Sequence, residues 1–228
     1  MNPYFLQKAF FRICLIKKPE VKWGLKKKFP GVLFLPHMSW KEFKFFKEVC
    51  SNKKVILEYG SGGSTIWLLK KNKKIYSVES NPDFYEYMNS IKLVKRSVDK
   101  LQYRFIDLGP TNDWGKPLTT THSNDWPAYY SEIWNDIDAT SNKVDIVFID
   151  GRFRVSCCLY TILKVLEYRW QDTVFLFHDF WRRKKYHEVL EFLQEIKSAE
   201  QLAAFKIKDH INIEKVKERL KEYALDFA

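Results

Sequence analysis

Cysteine is scarce in this chain: four residues in 228, at Cys14, Cys50, Cys157 and Cys158. No two of them form a Cys-x-x-Cys pair, so a zinc site is unsupported. Cys157 and Cys158 fall within an apolar helical pattern, where a thiol serves as a small core residue. A reducing, cytoplasmic setting fits this usage. Long apolar runs are missing too; none approaches the roughly 20 residues that span a bilayer. Lys8 and Arg12 interrupt the apolar residues near the start, and no small-residue cleavage site follows. The N-terminus therefore does not read as a secretory signal. There is no internal repeat and no low-complexity block.

Acids are outnumbered by bases, 28 against 39, for a formal net charge of +11. Residues 1–30 hold eight Lys or Arg and one Glu, so that stretch alone carries +7 and the remainder +4. Such a field attracts RNA, an anionic membrane surface or a phosphorylated substrate, and it equally serves solubility. Hydrophobic residues make up 46% of the chain, enough for a packed core. The length suits one α/β domain.

The most informative stretch is Val55 to Thr65, Val-Ile-Leu-Glu-Tyr-Gly-Ser-Gly-Gly-Ser-Thr. An apolar run ends in an acid, passes through a turn of small residues, and enters Ile66-Trp67-Leu68-Leu69. This is the pattern of strand, glycine turn and helix start. Gly60 and Gly62 let the backbone turn sharply and approach a ligand closely. Ser64 or Thr65 can cap the helix that follows. A dinucleotide turn requires a third Gly where Thr65 stands, so a nicotinamide dinucleotide is the poorer fit. Glu58, two residues before Gly60, suits a ligand with a cationic ammonium head. About 20 residues beyond the turn, Lys74 to Val78 reads as a second strand closing on Glu79, where a ribose-binding acid is expected.

Elsewhere the periodicities alternate between strand and helix. Pro3 to Ile16 reads as a mostly apolar helix with a basic flank, which either packs on protein or lies on a membrane surface. Residues 19–38 read as an extended connection, and Trp40 to Cys50 as a lead-in helix. A helix from Asn81 through Met88, a strand over Gln102–Asp107, a long polar loop from Gly109 to Asp125 and a helix over Trp126–Ile137 follow. Val144–Asp150 and Thr173–Asp179 are buried strands ending in acids, separated by a helix with Val155, Leu159, Ile162 and Leu166 on one face. Val189, Phe192, Leu193 and Ile196 predict another helix. A last strand is expected over Ala203–Lys208, and a closing amphipathic helix on Val216, Leu220, Tyr223 and Phe227. The expected fold is α/β: a doubly wound, mainly parallel sheet with an N-terminal helical arm. Residues 1–50 form the basic arm and lead-in helix, and 51–228 the sheet domain. Glu58, Glu79, Asp150 and Asp179 then converge on the carboxyl edge, where ligands bind in such sheets.

The acid-x-Gly-x-Gly-x-Ser turn followed by Glu79 resembles the first motifs of class I S-adenosylmethionine (SAM)-dependent methyltransferases. Ile149-Asp150-Gly151 and His178-Asp179 are similar to the turns of macrocin and sugar O-methyltransferases. Gly109 to Gly115 together with Asp150 to Arg154 resembles a bacterial methyltransferase-like group. The likeness covers roughly residues 53–195. It implies SAM as cofactor, held by Glu58, Gly60, Ser61, Gly62, Ser64 and Glu79, with the amino-acid part of SAM beside the turn. In metal-dependent relatives, acids placed like Asp150 and Asp179 bind a divalent cation such as Mg²⁺ near the acceptor hydroxyl. Here Arg152-Phe153-Arg154 stands where those relatives carry His and Tyr. Arg152 can pair with an acid or grip an anionic substrate, and a cation there competes with a metal.

Methyl transfer to an alcohol needs help in removing the proton. Asp150, His178 and Asp179 are the candidate catalytic groups, with His178 either the base or the orienter of Asp179. Asp107 either accepts from the adenine amino group or forms a turn before Gly109. Trp114 is a candidate for the acceptor pocket; Trp126, Tyr129 and Trp134 are either pocket wall or core. The function expected is methyl transfer to a hydroxyl of a small molecule or glycan. Two alternatives stand beside it. One is a non-catalytic module of the same fold that meets a partner or peripheral membrane through the N-terminal arm. The other is an RNA methyltransferase, against which the absence of an Asn-Pro-Pro-Tyr-type motif counts.

Overall fold

The computed structural model of the chain describes residues 36–227. The arm expected over residues 3–16 and most of the extended connection lie outside the described residues. The first element, α1 (Trp40–Cys50), begins with a capping box: the Ser39 hydroxyl accepts from the Glu42 N–H, and the Glu42 carboxylate accepts from the Ser39 N–H. This reciprocal arrangement satisfies two of the free donors at a helix start.

The sheet that follows has seven strands in the order β3-β2-β1-β4-β5-β7-β6. These are β1 (Val55–Tyr59), β2 (Lys74–Glu79), β3 (Leu101–Phe105), β4 (Ile146–Ile149), β5 (Val174–Phe177), β6 (Leu193–Ala199) and β7 (Leu202–Ile207). Strands β1 to β5 are parallel, and β7 runs antiparallel to both β5 and β6. The helices are α2 (Gly63–Lys70), α3 (Pro82–Ser90), α4 (Lys92–Lys95), α5 (Ala128–Ser131), α6 (Ile133–Thr140), α7 (Arg154–Glu167) and α8 (Ile213–Tyr223). The central strands are continuous apolar runs because both faces of the sheet are covered.

Alternate strand residues enter different layers, as the two-residue strand period demands. Leu57, Tyr76, Val147 and Phe175 join a core with Trp126, Trp134 and the inner face of α7. Ile56, Ile75, Phe148 and Leu176 join a second core with Phe46, Ile66 and Leu68. There, Phe46 of α1 meets Phe148 edge-on at 5.0 Å. The chain order reverses between β1 and β4. In open α/β sheets that is the crevice where ligands bind.

Two expectations need correction. The stretch Trp126–Ile137 is divided into α5 and α6; Glu132 keeps helical dihedrals, but the hydrogen bonding tightens there, with the Asn135 N–H reaching the Glu132 carbonyl. The helix expected on Val189, Phe192, Leu193 and Ile196 is instead a 3₁₀ turn over Lys184–Glu191 followed by β6. Leu193 is buried while Ile196 is half exposed. Pairing with β7 overrides the local 3.6-residue period, because ladder bonds and cross-strand packing outweigh propensity. Charged, exposed residues and a bulge between Glu195 and Lys197 suit an edge strand. Among the described residues no helix is long and apolar enough to cross a membrane.

Candidate active site

The turn after β1 is fixed by contact with the turn after β4. Gly60 has φ +93°, and a Cβ there would lie 2.6 Å from the Gly151 Cα. Gly151 is equally crowded, by the Tyr129 hydroxyl and the backbone of Tyr59 and Gly60. Only glycine fits a left-handed position against a second backbone. Gly62 differs: a Cβ there would meet nothing within 4 Å. Its main chain borders open space, as a turn that receives a ligand requires.

Beneath the turn lies Glu58, with no solvent exposure. Its carboxylate accepts from the hydroxyls of Ser64 at 2.5 Å, Thr65 at 2.5 Å and Ser77 at 3.0 Å. Thr65 in turn accepts from the Gly62 N–H at 2.9 Å. Burial pushes the Glu58 carboxyl up to about 7 against the opposing pull of the three hydroxyls. Glu58 and Ser64, both expected to hold the cofactor, are buried beneath the turn, where the Glu58 carboxylate takes its donors from α2 and β2.

Glu79 closes β2, as the strand pattern predicts. Its Oε1 accepts from the backbone N–H groups of Ser80 at 2.8 Å and Asn81 at 2.9 Å, and its Oε2 from the Ser61 hydroxyl at 2.8 Å. A carboxylate has about four acceptor sites, so one remains for a further donor. Ser61 also meets the Tyr103 hydroxyl at 2.7 Å. The glycine turn and the acid of β2 are thus joined through Ser61. Burial raises the Glu79 carboxyl, opposed by the donors of Asn81, Ser61 and Ser80 and by the charge of Arg152.

Asp150, His178 and Asp179 come together at the ends of β4 and β5. His178 Nδ1 lies 2.9 Å from Asp150 Oδ1, and its Nε2 lies 3.8 Å from Glu42 of α1. Burial opposes the charge of His178, but the flanking carboxylates of Asp150 and Glu42 prevail and raise its pKa to about 10. Of the two roles expected of it, base or orienter, a charged form favoured by its neighbours suits the second, and the carboxylate it bonds is that of Asp150. Burial raises Asp150, yet the charges of His178 and Arg154 win and hold it below the ordinary range.

Arg154, almost wholly buried, ties these turns together. It donates to the carbonyls of Gly151 at 3.0 Å, His178 at 2.7 Å and Asp150 at 3.1 Å. It also pairs with Asp150 Oδ1 at 3.0 Å and lies 3.7 Å from Asp179. Asp179, at φ +58°, further faces Arg182 at 2.5 Å and Arg183 at 3.7 Å.

One ligand atom each from Asp150, His178 and Asp179 lie within 4.8 Å of one another, the spacing of a cation site. The chemistry of the set does not fit one. His178 lies between the carboxylates of Asp150 and Glu42, and the Arg154 guanidinium lies 3.0 Å from Asp150 and 3.7 Å from Asp179. A metal ligand must be deprotonated and free of a competing cation.

The remaining candidates are spread more widely. Asp107 Oδ1 accepts from the Gly109 N–H at 2.9 Å, the turn-forming role. It also lines a cavity of about 550 Å³ beyond β3, with His122, Asp125 and Glu132 among the other walls; that cavity does not include the glycine turn. Trp114 is exposed, with φ +70° and its ring 5.5 Å from that of His37. Its loop rests on the turn after β2, where Gly115 O accepts from the Ser80 hydroxyl at 3.3 Å. Trp126, Tyr129 and Trp134 are core residues, though the Tyr129 hydroxyl accepts from the Arg152 N–H at 3.1 Å. Arg152 itself is half-buried beside Asp150.

Sequence reasoning gave no role to Glu42 or Arg154. Ser39-x-x-Glu42 was legible as a capping box, but its contact with His178 spans the fold. Arg154 was noted as a departure, and nothing local marks it as the buried link between two strand ends.

No family model matches this chain, and no curated protein matches it. Among solved structures, it is similar to a methyltransferase-like protein from Silicibacter pomeroyi, at 27% identity and TM-score 0.68, over 85% of this chain and 99% of that one. It is also similar to a methyltransferase from Podospora anserina solved with S-adenosylhomocysteine (SAH), over 91% of this chain and 89% of that one; 12% identity and TM-score 0.51 make that a likeness of fold. The seven-stranded sheet with helices on both faces is thus the Rossmann-like methyltransferase fold.

Proposed function

We propose that this chain is a SAM-dependent methyltransferase acting on a hydroxyl of a small molecule or glycan. The observation that carries it is the turn at the carboxyl end of β1, open at Gly62 and joined through Ser61 to a Glu79 carboxylate with acceptor capacity left. When bound, SAM supplies an electrophilic methyl group. The chain's part is to hold its ribose on Glu79 and its amino-acid end along the backbone of Gly60 to Gly62. The acceptor oxygen takes the methyl and loses a proton, and the adjacent carboxylates are Asp150 and Asp179. A carboxylate kept acidic by His178 and Arg154 is a weak base, which suits an acidic hydroxyl such as a phenol better than an aliphatic alcohol. No divalent cation enters this scheme, since the donors that would hold one already face cations.

Calorimetry tests the reading directly. Saturable binding of SAM and SAH to the folded protein is expected; no heat with either overturns it. Incubation of the SAM-loaded protein with phenolic and sugar acceptors then reads addition of one methyl by mass.

The pairing of His178 with Asp150 and Glu42, which favours its charged form, supports a second reading, a non-catalytic module that binds SAH. Binding without turnover on any acceptor would support it. Under either reading we assign the basic N-terminal arm an accessory role in membrane or subunit contact. Deleting residues 1–18 is expected to spare SAH binding and abolish that association.

A further inference from the structure

We propose that Arg152 is an anion-binding residue, a guanidinium placed to receive a carboxylate or phosphate from a molecule bound at the β1–β4 crevice. The inference rests on reading Gly60–Ser64 as the cofactor turn, and it assigns a charge to the ligand beside it.

The observation is an arginine without a counter-ion. Its Nε is buried and lacks a hydrogen-bond partner. Among the described residues its side chain makes no hydrogen bond and lies within ion-pair distance of no carboxylate; only its backbone is bonded, the N–H to the Tyr129 hydroxyl and the carbonyl to the Cys157 thiol. Most buried polar groups are bonded, and an unpaired buried charge is more costly still.

The nearby acids face other partners first. Asp150 faces His178 at 2.9 Å and Arg154 at 3.0 Å. Glu79 takes Ser61, Ser80 and Asn81. The charge closest in effect to Arg152 after burial is that of Arg154, which repels it, and burial and repulsion together lower its affinity for its own proton.

Its place makes the vacancy useful. Gly151, the preceding residue, is in contact with Gly60, so Arg152 stands directly beside the glycine turn. A guanidinium offers paired N–H groups that match two anionic oxygens. It repels a sulfonium or ammonium, so the group it receives is negative. Two sources carry such a group: the amino-acid carboxylate of the cofactor, or an anionic acceptor.

The test compares the full chain with R152Q by calorimetry. The probes are SAH, 5′-methylthioadenosine, which keeps the nucleoside but lacks the carboxylate, and inorganic phosphate on both SAH-loaded and free protein. A loss of SAH affinity on the order of tenfold or more in R152Q, with methylthioadenosine unchanged, assigns the cofactor's carboxylate. Unchanged SAH affinity, with phosphate binding seen in the wild type and lost in R152Q, assigns an anionic acceptor. Wild type and R152Q alike in every titration overturn the proposal. A wild type that binds neither nucleoside removes the cofactor reading alone. Arg152-dependent phosphate binding to the free protein then still supports the anion site, and its absence overturns it.

Because Arg152 lacks a partner in the fold, R152Q is expected to melt within about 2 °C of the wild type or above it. Should R152Q fail to fold, R152K keeps the charge without the paired donors. Anion binding weakened about tenfold in R152K supports the proposal, and unchanged binding overturns it.

Discussion

Glu58 and Glu79 share a residue type and a position at a strand end, yet their neighbours give them different tasks. Glu58 is sealed beneath the turn, and burial lifts its carboxyl to about 7. An unfolded chain releases that proton nearer its ordinary 4.5. Between those values the folded state binds more protons, so its stability falls as pH rises through the window, by roughly 3 kcal/mol in total. E58Q cannot titrate. The difference between wild type and E58Q in urea midpoints is expected to shift in favour of E58Q from pH 5 to pH 8; a constant difference would show that Glu58 stays charged. Glu79, by contrast, keeps one acceptor site at the mouth. E79Q preserves a carbonyl oxygen for the Ser80 and Asn81 N–H groups and turns the Ser61-facing oxygen into a donor. A charged hydrogen bond is worth about 1.5–3 kcal/mol. SAH affinity in E79Q is therefore expected to drop roughly tenfold to a hundredfold with the fold intact. Calorimetric affinity equal to the wild type would remove Glu79 from the site.

The strand–turn–helix unit β1–α2 separates folding from binding in two glycines. Gly60 is left-handed and presses on Gly151, so G60A meets both strain and backbone contact. A destabilisation of about 2–4 kcal/mol is expected. Gly62 has extended φ and open space where a Cβ would go. G62A should cost at most about 1 kcal/mol, the ordinary loss at a helix-capping position, while the added methyl blocks the approach of a ligand. Thermal melts and SAH titrations of the pair decide this; G62A that binds as well as the wild type would mean that the ligand does not pass over the turn. The same elements show what the sequence made legible. Val55–Leu57 and Val174–Phe177 are short apolar runs without interruption, each leading to an acid, and that pattern fits a strand buried on both faces. Strand β6 is different. Its single buried residue, Leu193, carries no strand period, and its identity comes from pairing with β7, which no local window contains.

At the scale of the whole molecule, one buried network joins parts of the chain that are far apart in sequence. Glu42 of α1 accepts from the Gln201 N–H at the β6–β7 turn at 3.0 Å and faces His178, which bonds Asp150, which pairs with Arg154. This network was illegible for a physical reason: Glu42 reads locally as the third residue of a capped helix, and its partners are fixed only once the sheet has formed. Burial raises the Glu42 carboxyl, but His178 and the backbone donors of Ser39 and Gln201 outweigh it and bring it to about 2, while His178 is raised to about 10. The signs differ. The Glu42 contribution is present above its ordinary 4.5 and lost as pH falls through about 2; that of His178 is full below 6.5 and lost as pH rises through about 10. Stability from this network is thus greatest between roughly pH 4.5 and 6.5. E42Q keeps an acceptor but removes one of the three carboxylates, with Asp150 and Asp179, that favour the imidazolium. Breaking a buried pair costs about 3–5 kcal/mol, and loss of the charge should bring the His178 titration down toward neutrality. The imidazole resonances of His178, expected to stay in the protonated position from pH 5 to 8 in the wild type, should move within that range in E42Q. A wild-type His178 that titrates near 6.5 would mean that the carboxylates do not hold it charged, and it would favour the base over the orienter among its two expected roles.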